Sequence, residues 1–238
     1  QGKAVAWSQP EIGLYDDDPY IRISYPDLVE QDGRYFLTET QKDAARVHEV
    51  APELLEGMWH TAVIGTTAPA VSDEGLILSL PKPQAPMPET VAMPQLPPFL
   101  ARDRARADYG TKDLRGGFSL DLWLRLDSLV PEQTVVDNRT ESGKGFCLQT
   151  TPRGTLEIVL NDGRTESRWG CDCGSLTPGA PHHVVVVVDG GPKVISFIVD
   201  GAINDGGETR QFGWGRYNPN LRGVEGAETL RIAPELRG

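Results

Sequence analysis

From Phe118 to Leu126 the chain alternates with period two. Phe118, Leu120, Leu122, Leu124 and Leu126 fall on one face, and Ser119, Asp121, Trp123 and Arg125 on the other. That period describes a strand with one face in a core and one in solvent. Further runs follow: "QTVVDNR", "KGFCLQT", "GTLEIVLNDG", "TESRWGC", "HHVVVVVDGG", "KVISFIVDG" and "ETLRIAP". Turn signals separate them at Asn161-Asp162-Gly163, Asp189-Gly190-Gly191 and Asp200-Gly201. Short strands at this spacing predict an all-β antiparallel sandwich or jelly roll. Val184–Val188 and Val194–Val199 are largely apolar on both faces, which predicts central strands.

The first part of the chain reads differently. "RISYPDLVEQDGRYFLTETQK", Arg22 to Lys42, predicts a hairpin whose turn is Gln31-Asp32-Gly33-Arg34, with Gly33 where a positive φ is needed. "APELLEGMWH", Ala51 to His60, has Pro52 near its start and Gly57 near its end and predicts a short helix. About sixty residues holding two or three strands cannot bury a core unaided. Residues 1–60 are therefore expected to complete a sheet whose other parts lie elsewhere. Residues 61–98 are expected to be a linker, because Pro81 to Pro98 carries a proline-rich run that favours an extended strap. "GLILSL", Gly75 to Leu80, would be either the first strand of the second domain or the last of the first. Residues 99–238 are the expected sandwich.

Composition changes the picture by exclusion. The 238 residues are 39% hydrophobic and 24% charged, with a formal net charge of -11. That balance repels nucleic acid and anionic membranes. No apolar run approaches the roughly 18–20 residues of a membrane span; "HHVVVVV" is a buried strand. The chain opens at Gln1 without a leader pattern, and it is read as a piece of a longer protein. Cys147, Cys171 and Cys173 allow one disulfide with a leftover thiol, or three free thiols. The C-x-C spacing, without a second pair, is too sparse for zinc.

"GFSLDLWLRLDSL", "GKGFCLQTTPRGTLEIVLNDG" and "LTPGAPHHVVVVVDGGPKVISFIVDG", in that order, resemble the laminin-G-like jelly-roll domains of the concanavalin A-like superfamily. The resemblance implies a sandwich from about Gly75 onward. It also implies a closing strand after a segment such as "LRIAPELRG", a strand this chain is expected to lack. Relatives include glycan-binding modules, laminarin-cleaving enzymes and structural domains, so the fold alone decides little. The cleaving branch needs paired carboxylates on one strand, as in E-x-D-x-x-E. Here "SLDLWLRLD" offers only Asp121 and Asp127, so this domain is expected to be non-catalytic.

Aromatic plates match the apolar face of a pyranose, and Trp123, Trp214 and Tyr217 are the candidate glycan-binding residues. Trp123 and Trp169 would instead pack in the sandwich if turned inward, which is the commoner fate of a strand Trp. Trp214 and Tyr217 stand in the glycine-flanked loop "FGWGRYNPN". His182 and His183 read as the start of a strand. No cofactor is expected, although Asp137, Asn138 and Asp162 could supply oxygen ligands to calcium, as in some laminin-G relatives.

"SYPDLVEQDGRYFLTE" is similar in order to a late blade of sialidase-like β-propellers: Tyr25, Leu28, Asp32-Gly33 and Glu39. The resemblance implies a partial propeller region and carries over to Tyr25 only, as nucleophile; Glu39 is a further catalytic candidate. A neutral phenol can approach an acidic sugar whose carboxylate would repel a carboxylate nucleophile. Pro26 departs from the usual Ser, the S-x-D-x-G-x-T-W repeat is absent, and an arabinanase-type propeller fits nearly as well. The expected function is thus the C-terminal part of a glycan-processing, exo-sialidase-like glycoside hydrolase, inactive as this chain alone, with a carbohydrate-binding module. A non-enzymatic adhesion or glycan-binding protein is the alternative. The expected partners are glycans and the missing propeller blades, and the expected location is extracellular or periplasmic.

Overall fold

The computed structural model describes residues 13–14, 23–40, 44–60, 73–80, 88–97, 99, 101–102, 112–114, 116–190, 192–233 and 236–237. The chain divides into two compact units, Gln1–Glu74 and Gly75–Gly238.

In unit 1, strands β1 (Ser24–Gln31), β2 (Arg34–Thr40) and β3 (Ala45–Val50) form a three-stranded antiparallel sheet in chain order, followed by helix α1 (Pro52–His60). Asp32 and Gly33 both take positive φ (53° and 74°), so the first hairpin closes on a two-residue turn of the mirror-image type. Such a turn matches the strand twist. Among the described residues of this unit only Leu55 and Glu39 are buried, while Leu28, Val29 and Val47 are exposed.

Unit 2 is a sandwich of two antiparallel sheets. One holds β4 (Thr90–Ala92), β8 (Thr134–Asp137), β9 (Gly145–Thr150), β10 (Leu156–Asn161), β11 (Glu166–Gly170) and β16 (Thr229–Ile232), in the order β11-β10-β9-β8-β16-β4. The other holds β7 (Phe118–Arg125), β12 (Pro181–Asp189), β13 (Val194–Val199), β14 (Ala202–Ile203) and β17 (Leu236–Arg237), in the order β14-β13-β12-β7-β17. Strand β15 (Trp214–Arg216) pairs with β13 beside β14. A small pair, β5 (Ala101–Arg102) with β6 (Lys112–Leu114), stands apart. We call the two large sheets the β9 sheet and the β12 sheet.

One core lies between them. Phe146, Leu148 and Ile158 of the β9 sheet meet Leu124, Val186 and Phe197 of the β12 sheet in a single cluster. The alternation of Phe118–Arg125 is realised as expected, with Leu122 and Leu124 buried and Asp121, Trp123 and Arg125 outward. Burying each such aliphatic or aromatic side chain contributes about 1.5–3 kcal/mol, which is why the alternating strands settle this arrangement.

Two expectations are corrected here. Gly75–Leu80 is not a strand; Leu78 and Leu80 pack on the core as irregular chain. The first strand of the sandwich is Thr90–Ala92, so the described end of the proline-rich run is an edge of the β9 sheet rather than a spacer. Residues 81–87 and 98 of that run lie outside the described residues. Within "LRIAPELRG" itself a short strand forms, Leu236 and Arg237 pairing with Leu124 and Trp123.

Candidate functional site

The outward face of the β9 sheet gathers polar and charged residues from five strands. The register sets Arg168, Val159, Cys147, Asp137 and Arg231 side by side across the sheet. Cross-strand partners share a face, so these side chains form one row. Asp137 is its hub. Arg139 donates from Nε and Nη2 to the two Asp137 oxygens (3.0 and 2.9 Å), and Arg231 donates from Nη2 to Oδ2 (2.7 Å). The Arg139 backbone N–H adds a fourth donor at 2.7 Å. At the other end Arg168 donates to Glu166 (2.7 Å) and to Glu157 (3.1 Å), and Gln149 donates to Glu157 (3.3 Å).

Charge is unevenly shared in this lattice. Two guanidinia surround one carboxylate at Asp137, and two carboxylates flank one guanidinium at Arg168. Burial pushes the Asp137 carboxyl upward, but the bonds and charge of Arg139, then Arg231, outweigh it and hold it below the ordinary value. Glu166 is held low first by its bond from Arg168, against a smaller opposing effect of burial. Asp137 side chain is 4% exposed, whereas Arg231 is 60% and Arg168 48% exposed, so the guanidinia are the accessible groups. Beneath them Cys147 is fully buried, and burial first, then the charge of Asp137, pushes its thiol up to about 11. Cys147, Cys171 and Cys173 are all free thiols.

The opposite outward face, on the β12 sheet, carries Trp123. Its indole is half exposed and stacks on His183, with ring centroids 5.0 Å apart and planes 25° apart. His183 Nε2 lies 2.8 Å from Asp121 Oδ1, and the His183 backbone N–H donates to Asp200 Oδ1 at 2.9 Å. His182 turns inward, where its Nε2 accepts from the Thr177 N–H (2.9 Å) and its Nδ1 faces Asp200 Oδ2 (2.7 Å). Both histidines thus tie strand β12 to its neighbours.

The remaining expected site residues are placed as follows. Tyr217, expected as a sugar plate, is 2% exposed; its ring tilts against Phe99 at 5.6 Å in the core and its hydroxyl donates to the Asp189 carbonyl. The loop position is corrected because its aromatic ring completes the Phe99–Phe118–Phe146 cluster. Trp214 is half-buried and stacks on Phe212 at 4.9 Å. Trp169 is packed rather than presented: Arg210 lies 4.2 Å over its ring, and any Cβ at Gly215 would fall about 2.2 Å from the indole. Gly215 is what lets strand β15 approach that closely.

In unit 1, Tyr25 sits at an irregularity of β1, at φ 50° and 87% exposed. Glu39 is 1% exposed, beside Arg46 (3.6 Å) and His48 (3.5 Å) of β3. Neither carboxylate oxygen of Glu39 takes part in a hydrogen bond, so Glu39 is not bonded to the Tyr25 hydroxyl.

The oxygens proposed for calcium are committed elsewhere. Asp137 holds two arginines, Asn138 accepts from the Phe146 N–H (2.7 Å), and Asp162 accepts from the backbone of Arg164, Thr165 and Arg222. Among the described residues no group of three or more His, Cys, Asp or Glu is arranged to hold a metal. A cavity of about 300 Å³ lies between Met93–Leu96 and Val224–Glu228. No described helix is long and apolar enough to cross a membrane.

Residues 103–229 match the laminin-G-type family model described as the concanavalin A-like lectin/glucanases superfamily. The match spans more than half of the chain, and the chain belongs to that superfamily. No curated protein matches it. Among solved structures it is similar to the CBM40 of a Ruminococcus gnavus IT-sialidase, at 12% identity and a TM-score of 0.38, over 51% of this chain and 71% of that one. The same module bound to α2,6-sialyllactose gives 14% identity and a TM-score of 0.37 over the same shares. Bound to α2,3-sialyllactose it gives 15% and 0.30, over 51% and 77%.

Proposed function

We propose that unit 2 is a carbohydrate-binding module that holds a carboxylate-bearing glycan on the outward face of the β9 sheet. The observation that carries this is the surplus of guanidinium at Asp137: Arg139 and Arg231 share one carboxylate, and Arg231 is 60% exposed. A guanidinium already oriented by Asp137 loses little freedom on accepting a ligand, and its planar fork suits a carboxylate. The chain's net charge of -11 disfavours a polyanion, but a single sugar carboxylate sits within the short range of this local pair. Glu157, Gln149 and Glu166 continue the lattice with acceptors for sugar hydroxyls. Membership of a superfamily of lectins and glucanases supports the same reading.

The order of Tyr25, Leu28, Asp32-Gly33 and Glu39, similar to a sialidase-like propeller blade, supports the further reading that this module serves a glycan-processing protein outside the cytoplasm. Catalysis is not assigned to the present chain, because Tyr25 has no carboxylate bonded to it through Glu39.

Calorimetric titration of the full chain with uronate- and sialate-containing oligosaccharides tests the binding. We expect binding that weakens with added salt, falls about tenfold or more in Arg231→Ala, and is partly kept in Arg231→Lys. Equal binding of carboxyl-reduced sugars, or an unaffected Arg231→Ala, refutes it.

A further inference from the structure

We infer that unit 2 carries a second glycan site on its opposite face, a platform for a neutral pyranose centred on Trp123. This rests on the carbohydrate-binding reading of unit 2 but not on the arginine lattice. Strand β7 presents Asp121, Trp123 and Arg125 outward at every second residue, so the three stand about 6.6–6.8 Å apart in a line. Asp121 is 70% exposed and Arg125 61% exposed, so an acceptor and a donor flank the indole on the solvent side. His183 covers one side of the indole and is itself held by Asp121, which fixes the ring angle before any ligand arrives. Trp123 remains 50% exposed with that stack in place. A preset aromatic plate with hydroxyl partners on both sides is what a sugar ring requires.

The local charge selects the class of sugar. Asp121, Asp127 and Asp200 stand near the plate with the guanidinium of Arg125, and Arg237 is the backbone partner of Trp123 on β17, so carboxylates outnumber guanidinia among the residues at this face. A carboxylated or sulfated sugar is repelled there, whereas a neutral hexose meets no penalty. The two faces therefore prefer different glycans, and one module could bridge two chains.

The test is native gel electrophoresis of the full chain through neutral polysaccharides (β-glucan, galactan, mannan) and through polygalacturonate. Retardation in at least one neutral gel is expected, insensitive to salt. It should weaken about tenfold in Trp123→Ala, recover in Trp123→Phe, and stay unchanged in Arg231→Ala. Circular dichroism checks that each variant is folded. No retardation in any neutral gel, or equal retardation of Trp123→Ala, overturns the proposal. So does a wild-type dimer in sedimentation that Trp123→Ala dissociates, since the face would then belong to a second copy. Loss in polygalacturonate with Arg231→Ala alone speaks to the first site, and the two readings fail independently.

Discussion

The two outward faces of the sandwich invert the usual expectation about polar and apolar surfaces. On the β9 sheet the outward positions include Asp137, Gln149 and Glu157, yet Cys147, Val159 and Asp137 are no more than 3% exposed. On the β12 sheet the outward positions are more apolar, yet Val185, Val187 and Ile198 are only half-buried, and Trp123 and Ile203 are half exposed. Arginine explains the difference. Arg139 and Arg231 both bond Asp137 and act on the Cys147 thiol, on a row whose register also places the short side chain of Val159. Opposed charges then lock the guanidinia in place. On the β12 sheet the outward charges Asp121 and Arg125 stand on β7, and Val185, Val187 and Ile198 are left part-exposed. A polar face can thus be closed by its own side chains while an apolar one stays open to a partner.

The strongest way to break this contrast is Asp137→Ala. It strands Arg139 and Arg231 and uncovers Cys147, and the expected loss is about 2–3 kcal/mol, since a charged partner is removed from a largely buried network. Urea denaturation should show a lower midpoint at an unchanged slope. A loss under about 0.5 kcal/mol would mean the lattice does not hold the face.

Acid should produce part of the same effect. Asp137 and Glu166 are held below their ordinary values in the folded chain. The unfolded state takes up protons first as pH falls from about 4, so their contribution is full above that pH. It disappears as pH drops through the lowered native values. Thermal melts between pH 7 and 2.5 should steepen below about pH 4, and the gap between wild type and Asp137→Ala should narrow there. A constant gap across that range would assign the aspartate an effect unrelated to its charge.

The sandwich was legible in the sequence because alternation directly reports which side chains a strand buries. Leu120, Leu122 and Leu124 could face only one way once Asp121 and Arg125 were in solvent. The lattice was not legible. Asp137 and Arg231 are 94 positions apart and meet only because β16 pairs with β8, a choice no local period encodes. "LEIVLN" does place Glu157 opposite the buried face, and that was the one available hint. Tyr217 failed for the converse reason. A loop aromatic flanked by polar residues looks exposed, but its ring filled the space beside Phe99, a contact set by segments far apart in the chain. Strand β4 was hidden by the prolines that flank it, Pro88 and Pro94, which border an edge strand as readily as they fill a linker.

The smallest effect, and the sharpest for the comparison, is expected from Trp123→Ala. The variant removes the largest outward side chain of the β12 sheet, but half of that side chain is already in water, so little burial is lost. What remains is the stack on His183, worth about 0.5–1.5 kcal/mol for an aromatic pair. His183 keeps its bonds to Asp121 and Asp200, so no polar group is orphaned. We therefore expect about 1 kcal/mol or less in urea unfolding, below the Asp137→Ala loss. A tryptophan whose removal costs stability as much as the buried aspartate would be part of the scaffold, and the β12 face would be closed after all. One whose removal is nearly silent in stability yet decisive in a neutral gel is held outward for a ligand.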